Sequence, residues 1–248
     1  MGTRAPGRDD AETFGPGVVP LDVRRVSACL WIATTIVLGL GILREVAMHF
    51  LGTATVLRDL RHFALDSEHS LPAWYESLTM ATASALLAII AVLARHHDAR
   101  NRTAWMLLAV VFLLMSIDES VSFHEVTITP LRNAFHLSGF LYFSWVILAA
   151  PVLVVLSIIF IPFLLRLPRH TAARFAIAGG LFVGGAFGLE LVGGYFVSTG
   201  GFESVPYKIA ATCEEALEII GMTLFVTSLF RHLAETAPVL HIAMRDRA

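Results

Sequence analysis

LSGFLYFSWVILAAPVLVVLSIIFIPFLL, residues Leu137–Leu165, contains no Asp, Glu, Lys, Arg or His. A helix needs about 20 mostly apolar residues to cross ~30 Å of hydrocarbon. This run exceeds that length, so it reads as a membrane span. Its Pro151 and Pro162 are tolerable there, because membrane helices accommodate proline better than soluble ones.

Working outward, five more stretches meet the same test. They are Val26–Phe50, uncharged until Arg44; Pro72–Ala94, with proline well placed at a helix start; Thr103–Glu125; Arg174–Ser198; and Pro206–Phe230. The composition agrees. Of 248 residues, 56% are hydrophobic and only 15% charged, where soluble domains carry roughly a quarter charged. The mean hydropathy is +0.71. The predicted fold is all-α: a polytopic integral membrane protein, a bundle of six transmembrane helices over residues 26–231. Residues 1–25, rich in Gly, Pro, Asp and Arg, predict a flexible cytoplasmic tail. Residues 232–248 predict a second cytoplasmic tail. No signal-peptide pattern precedes the first span.

Lys and Arg in short loops set orientation. With both termini cytoplasmic, Arg24, Arg25, Arg95, Arg100, Arg102, Arg166, Arg169, Arg174 and Arg231 fall inside, and only Arg58, Arg61, Arg132 and Lys208 outside. The expected location is a plasma or bacterial inner membrane. The segment between the first two spans predicts a short surface helix, since Val56, Leu57, Leu60 and Phe63 share a helical spacing. Trp74, Tyr75, Tyr142, Trp145, Tyr195 and Tyr207 read as an interfacial aromatic belt. A pI near 6.5 and the absence of a basic stripe argue against a nucleic-acid partner. Cys29 and Cys213 lie in apolar segments and read as packing residues.

The apolar segments carry acids that a bilayer penalises. Ionisable groups at membrane depth are expensive and mark functional sites by default. In this topology Glu45, Glu76, Asp118, Glu119, Glu125, Glu190, Glu214, Glu215 and Glu218 all lie in the outer half. Against them stand Arg44, Lys208, His49 and His124. Glu45 pairs locally, Glu76 reaches the interface, and Lys208 falls near Glu215 on one helical face. Several carboxylates remain unpaired, which leaves protonation, a water-filled vestibule or a bound metal. On an unbroken third helix, Asp118, Ser122 and Glu125 share one face, and Ser116, Ser120 and His124 another. On the fifth, Gly180, Gly184 and Gly188 form a GxxxGxxxG stripe, which predicts a close helix contact carrying Glu190 toward its neighbours.

Carboxylates with an imidazole suit Zn, Fe or Mn. The expected site is therefore a divalent metal held by Asp118, Glu119, His124, Glu190, Glu214 and Glu218, with Glu125 or Glu215 as general base. The expected function is a metal-dependent enzyme acting on a lipid or small apolar substrate from the outer leaflet of the lipid bilayer. Two alternatives use the same residues differently: a cation- or proton-coupled transporter, and a non-catalytic subunit of a membrane complex. A homo-oligomer or a membrane partner subunit is compatible with each.

Ser120-Val121-Ser122-Phe123-His124 resembles the SxxFH element of the membrane zinc hydrolases that include alkaline ceramidases and adiponectin-receptor-like proteins. The resemblance implies zinc on His124 with support from Ser120. It covers five residues. That family has seven spans and a late HxxxH, where this chain offers Glu214-xxx-Glu218.

Overall fold

In the computed structural model, residues 21–51, 56–97 and 101–239 are described. Residues 1–20 of the predicted N-terminal tail and 240–248 of the C-terminal tail lie outside them. The described chain is helical, with no strand. The helices are α1 (Val23–Leu51), α2 (Leu71–His97), α3 (Arg102–Val121), α4 (Phe123–Val126), α5 (Ile128–Phe135), α6 (Val146–Leu164), α7 (Arg169–Val183), α8 (Glu190–Gly200) and α9 (Val205–Thr236). A 3₁₀ segment, Val56–Phe63, stands where the surface helix was expected, and a π-helical turn, Gly184–Leu189, joins α7 to α8.

Among the described residues, five helices are long and apolar enough to cross a membrane: α1, α2, α3, α6 and the continuous α7–α8 rod. α9, at 32 residues, has the length. It carries Lys208, Glu214, Glu215, Glu218 and Arg231 and falls outside that set. It is nevertheless the hub, packed on α1, α2, α7, the π turn and α8. α6 is apolar on all sides, and Val152, Val154, Val155 and Ile158 stay more than half exposed, as expected of a lipid-facing helix.

The bundle is polarised. At one end, Trp105 of α3 meets Phe163 of α6 edge-on at 4.7 Å and stacks on His232 of α9 at 5.2 Å. Leu87, Val226 and Leu229 beside them are fully buried. Interlocking hydroxyls fix the register of α2 against α3. Ser77 Oγ donates to Ser116 O, Ser116 Oγ donates to Ser77 O, each at 2.8 Å, and Ser84 Oγ donates to Ala109 O at 2.7 Å. Small hydroxylated residues let membrane helices approach closely. Thr34 ties α1 to Tyr75 of α2 (2.8 Å) and Thr223 of α9 (2.6 Å). The opposite end does not close into a comparable core, and a cavity lies there.

The glycine stripe expected to make the close contact does not. A Cβ on Gly180, Gly184 or Gly188 would meet nothing within 4 Å. The tight approach is made by Gly185, where a Cβ would sit 2.8 Å from Glu214 O and 2.8 Å from Glu218 Cγ, and by Gly221, 2.9 Å from Ala178 O. The physical reason is that the backbone of α9 lies on the face of Gly185, one residue away from the stripe.

Candidate functional site

The cavity has a volume of about 790 Å³. Its polar end is lined by Asp66, Glu68, Asp118, Glu119, His124, Glu125, Glu190, Glu214, Glu215 and Glu218, and among the described residues no Lys or Arg lines it. All eight residues singled out from the sequence therefore border one space. Two described cations are used elsewhere: Arg44 pairs with Glu45, and Lys208 with Glu203 at 2.6 Å rather than with Glu215.

The polar face of the third helix converges because that helix breaks. α3 ends at Val121, and Ser122 takes a left-handed conformation (φ 57°, ψ 40°), its N–H bonded to Asp118 O at 2.6 Å. Left-handed residues commonly end helices. The chain then turns into α4 and returns His124 to Asp118. His124 N–H donates to Asp118 Oδ1 at 3.1 Å, and Nδ1–H to Oδ2 at 2.7 Å. The two faces expected on an unbroken helix are thus replaced by a clasp six residues long. With Nδ1 held by a carboxylate, the ring keeps Nε2 as its open donor, the arrangement usual behind a metal-binding histidine. His124 lies beyond the end of α3. Burial pushes its pKa down, but the Asp118 hydrogen bond and charge, with Glu68 and Glu125, outweigh this and hold it above the ordinary histidine value.

Glu68 was not among the expected residues. Its loop is drawn over the cavity by Leu65, 1% exposed, whose side chain fills the space left by the missing Cβ of Gly41. Glu68, His124 and Glu125 each offer a ligand atom, all within 4.8 Å of one another. Glu68 Oε2 is buried with no hydrogen-bond partner, and burial raises its pKa above the usual carboxylate range. An orphaned buried oxygen facing an imidazole and a second carboxylate suits a metal such as Zn, Fe or Mn. The sequence carries only a weak trace of it, the acid-rich run Asp66-Ser67-Glu68-His69 just ahead of α2.

Across the cavity, Trp145 Nε1–H donates to Glu190 Oε1 at 2.5 Å, and its ring lies 4.9 Å from that of His124. Trp145 and Tyr207, expected in an aromatic belt, line the cavity instead. The carboxyls of Glu190 and Glu214 meet side chain to side chain. The π turn immediately precedes Glu190, and such turns often sit at functional sites. Glu76, expected at the interface, is 1% exposed. Ser120 bonds to Ser77 Oγ at 2.7 Å and so belongs to the α2–α3 contact, not to the His124 support implied by the zinc-hydrolase resemblance.

The rest of the lining is apolar: Leu114, Leu148, Val152, Leu153, Leu156, Phe182 and Phe187 among others. Leu114, Leu148 and Val152 are also 60%, 50% and 56% exposed, so the cavity opens sideways between α3 and α6.

Fold and site together define an all-helical protein with membrane-type spans and a carboxylate-lined lateral cavity. The chain belongs to the family described as a domain of unknown function, DUF8692, whose model matches residues 24–233. No curated protein and no solved structure matches it.

Proposed function

We propose that this is a six-span membrane enzyme with both termini cytoplasmic, α9 being the sixth span, and that it uses a divalent metal to act on a lipid or small apolar substrate. The observation that carries this reading is one cavity with two unlike ends. One end has His124 clasped by Asp118 beside Glu68 and Glu125; the other is an apolar trough open toward lipid. An amphiphile entering sideways would place its polar group at the acids and its chain along α3, α6 and α7.

In this reading Glu68, His124 and Glu125 hold the metal, Asp118 orients His124, and Glu125 serves as ligand rather than base. A metal held by these residues would supply Lewis-acid polarisation of a substrate oxygen or activation of water. The Glu190–Glu214 pair, with Glu190 fixed by Trp145, is placed to take or return a proton. Transport finds less support, because Trp105, Phe163, Phe175 and Leu229 fill the opposite end of the bundle, where a conduction path would have to run. A non-catalytic subunit would copurify with a stoichiometric partner.

Metal analysis of the purified chain tests the proposal. Wild type should carry Zn, Fe or Mn, His124→Ala and Glu68→Gln should lose that metal, and metal-loaded protein should convert vesicle lipid to products visible by mass spectrometry. A wild type without bound metal would end it.

A further inference from the structure

We propose that the apolar half of the cavity is a blind channel that seats one alkyl chain of the substrate and limits its length, with Val111, Leu156 and Phe182 as the floor that sets the limit. This rests on the lateral-entry reading above and names the substrate class for it: an amphiphile whose seated chain is no longer than one membrane leaflet is deep. It does not depend on the metal.

The walls come from helices that run in alternate directions. α6 lines the cavity with Trp145, Leu148, Ala149, Val152, Leu153 and Leu156, a spacing of three and four residues that keeps one helical face inward. α3 runs the other way, so Asp118 lies among the acids and Val111 about two turns deeper. The π turn and α7 repeat this, with Glu190 at the acids and Phe182 at depth. At ~1.5 Å per residue, the run from Trp145 to Leu156 makes the channel about 16 Å long. One leaflet, half of the ~30 Å hydrocarbon core, has the same depth.

Beyond Leu156 the helices close. Gly221 admits α9 against α7, where a Cβ would sit 2.9 Å from both Ala178 O and Phe182 N. Phe112 of α3 and Phe225 of α9 stack at 4.8 Å with their planes 16° apart, and Met222 is 1% exposed. The side opening stops short of this floor. Leu114, Leu148 and Val152 are exposed, whereas Val111, Leu153, Leu156 and Phe182 are half-buried. A chain therefore enters through the slot and ends against the floor. Lipid tails are as apolar as leucine, so moving a chain from bilayer to channel gains little from transfer. Fit decides instead: a chain that fills the channel gains contacts, and one that overruns it forces the packed floor apart.

The experiment uses the full chain, treated with chelator, in nanodiscs. The probes are monoacylglycerols from octyl to octadecyl with a diazirine at the chain terminus. After irradiation and digestion, mass spectrometry reads which peptides are labelled. In wild type, labelling of Val111, Leu156 and Phe182 should rise with chain length to a maximum and then be lost. Leu156→Trp, which fills the floor, should lose the longest chains that wild type admits and keep the shortest. Val155→Trp, on the exposed face of α6, should leave the profile unchanged. Interior labelling that ignores chain length, or a profile that Leu156→Trp does not move, overturns the channel limit while leaving lateral entry intact. No interior labelling by any chain overturns lateral entry as well. Because the protein is metal-free, a failure of the metal assignment leaves this profile readable. If Leu156→Trp is not monodisperse, Val111→Trp carries the same expectation and the same refutation.

Discussion

His124 and Glu68 set the behaviour of the metal-free protein with pH. His124 has its pKa raised in the fold, so the stability it contributes is complete below its ordinary value of about 6.5 and is lost as pH rises through the folded value. Glu68 also has its pKa raised, by burial. Its neutral form is the one the fold favours, so ionisation costs stability as pH climbs past the usual carboxylate range. Both act in one direction. The melting midpoint of chelator-treated protein should fall between about pH 5 and pH 8, and His124→Ala should flatten that slope. A midpoint that climbs over this range would contradict the assignment. At this scale the sequence was only partly legible. Asp118 and His124 were visible as polar residues in an apolar run, but their clasp depends on the φ of Ser122, which no helical wheel contains. Glu68 sits in a loop, where an acid is ordinary, and only Leu65 packing against Gly41 makes it part of a cavity.

Helix contacts decide which residues meet. The approach of the π turn to α9 depends on Gly185, whereas Gly184 faces open space. Gly185→Ala would push a methyl into Glu214 O and should cost about 1–3 kcal/mol, the usual penalty for overpacking. Gly184→Ala should be neutral or slightly stabilising, since Ala is the better helix former. Thermal unfolding of both variants in one detergent checks this, and equal midpoints would remove the argued contact. The stripe Gly180, Gly184 and Gly188 was legible as small residues on one face. Its partner was not, because small size permits close packing without saying which face a neighbour will take. The apolar segments were far easier to read. Each of the five membrane-type helices lies where the hydrophobic runs predict one, with ends displaced by a few residues; the fourth begins at Val146 rather than Leu137 because residues 139–141 form a 3₁₀ turn.

For the whole molecule, the number of spans decides where the termini lie. Five spans put them on opposite sides of a membrane, six on the same side. With α9 crossing, a reporter that fluoresces only in the cytoplasm should be bright at either end of the chain. A bright signal at one end and none at the other would exclude α9 as a span. The ambiguity has a physical origin. The residues that lower the apolar character of α9, Lys208, Glu214, Glu215 and Glu218, include three that line the cavity, so residues of the site are what keep α9 out of the membrane-type set. What the sequence alone determined is the class of fold and the presence of chemistry in it. Long uncharged runs have no stable alternative to helices in hydrocarbon, and carboxylates inside them demand a reason. What only the tertiary structure decided is the composition of the site. Whether an acid is orphaned, clasped, paired or sent to the surface depends on a left-handed residue, a buried leucine and a one-residue choice between glycines. Those are properties of contacts between segments, and no local pattern of residues encodes them.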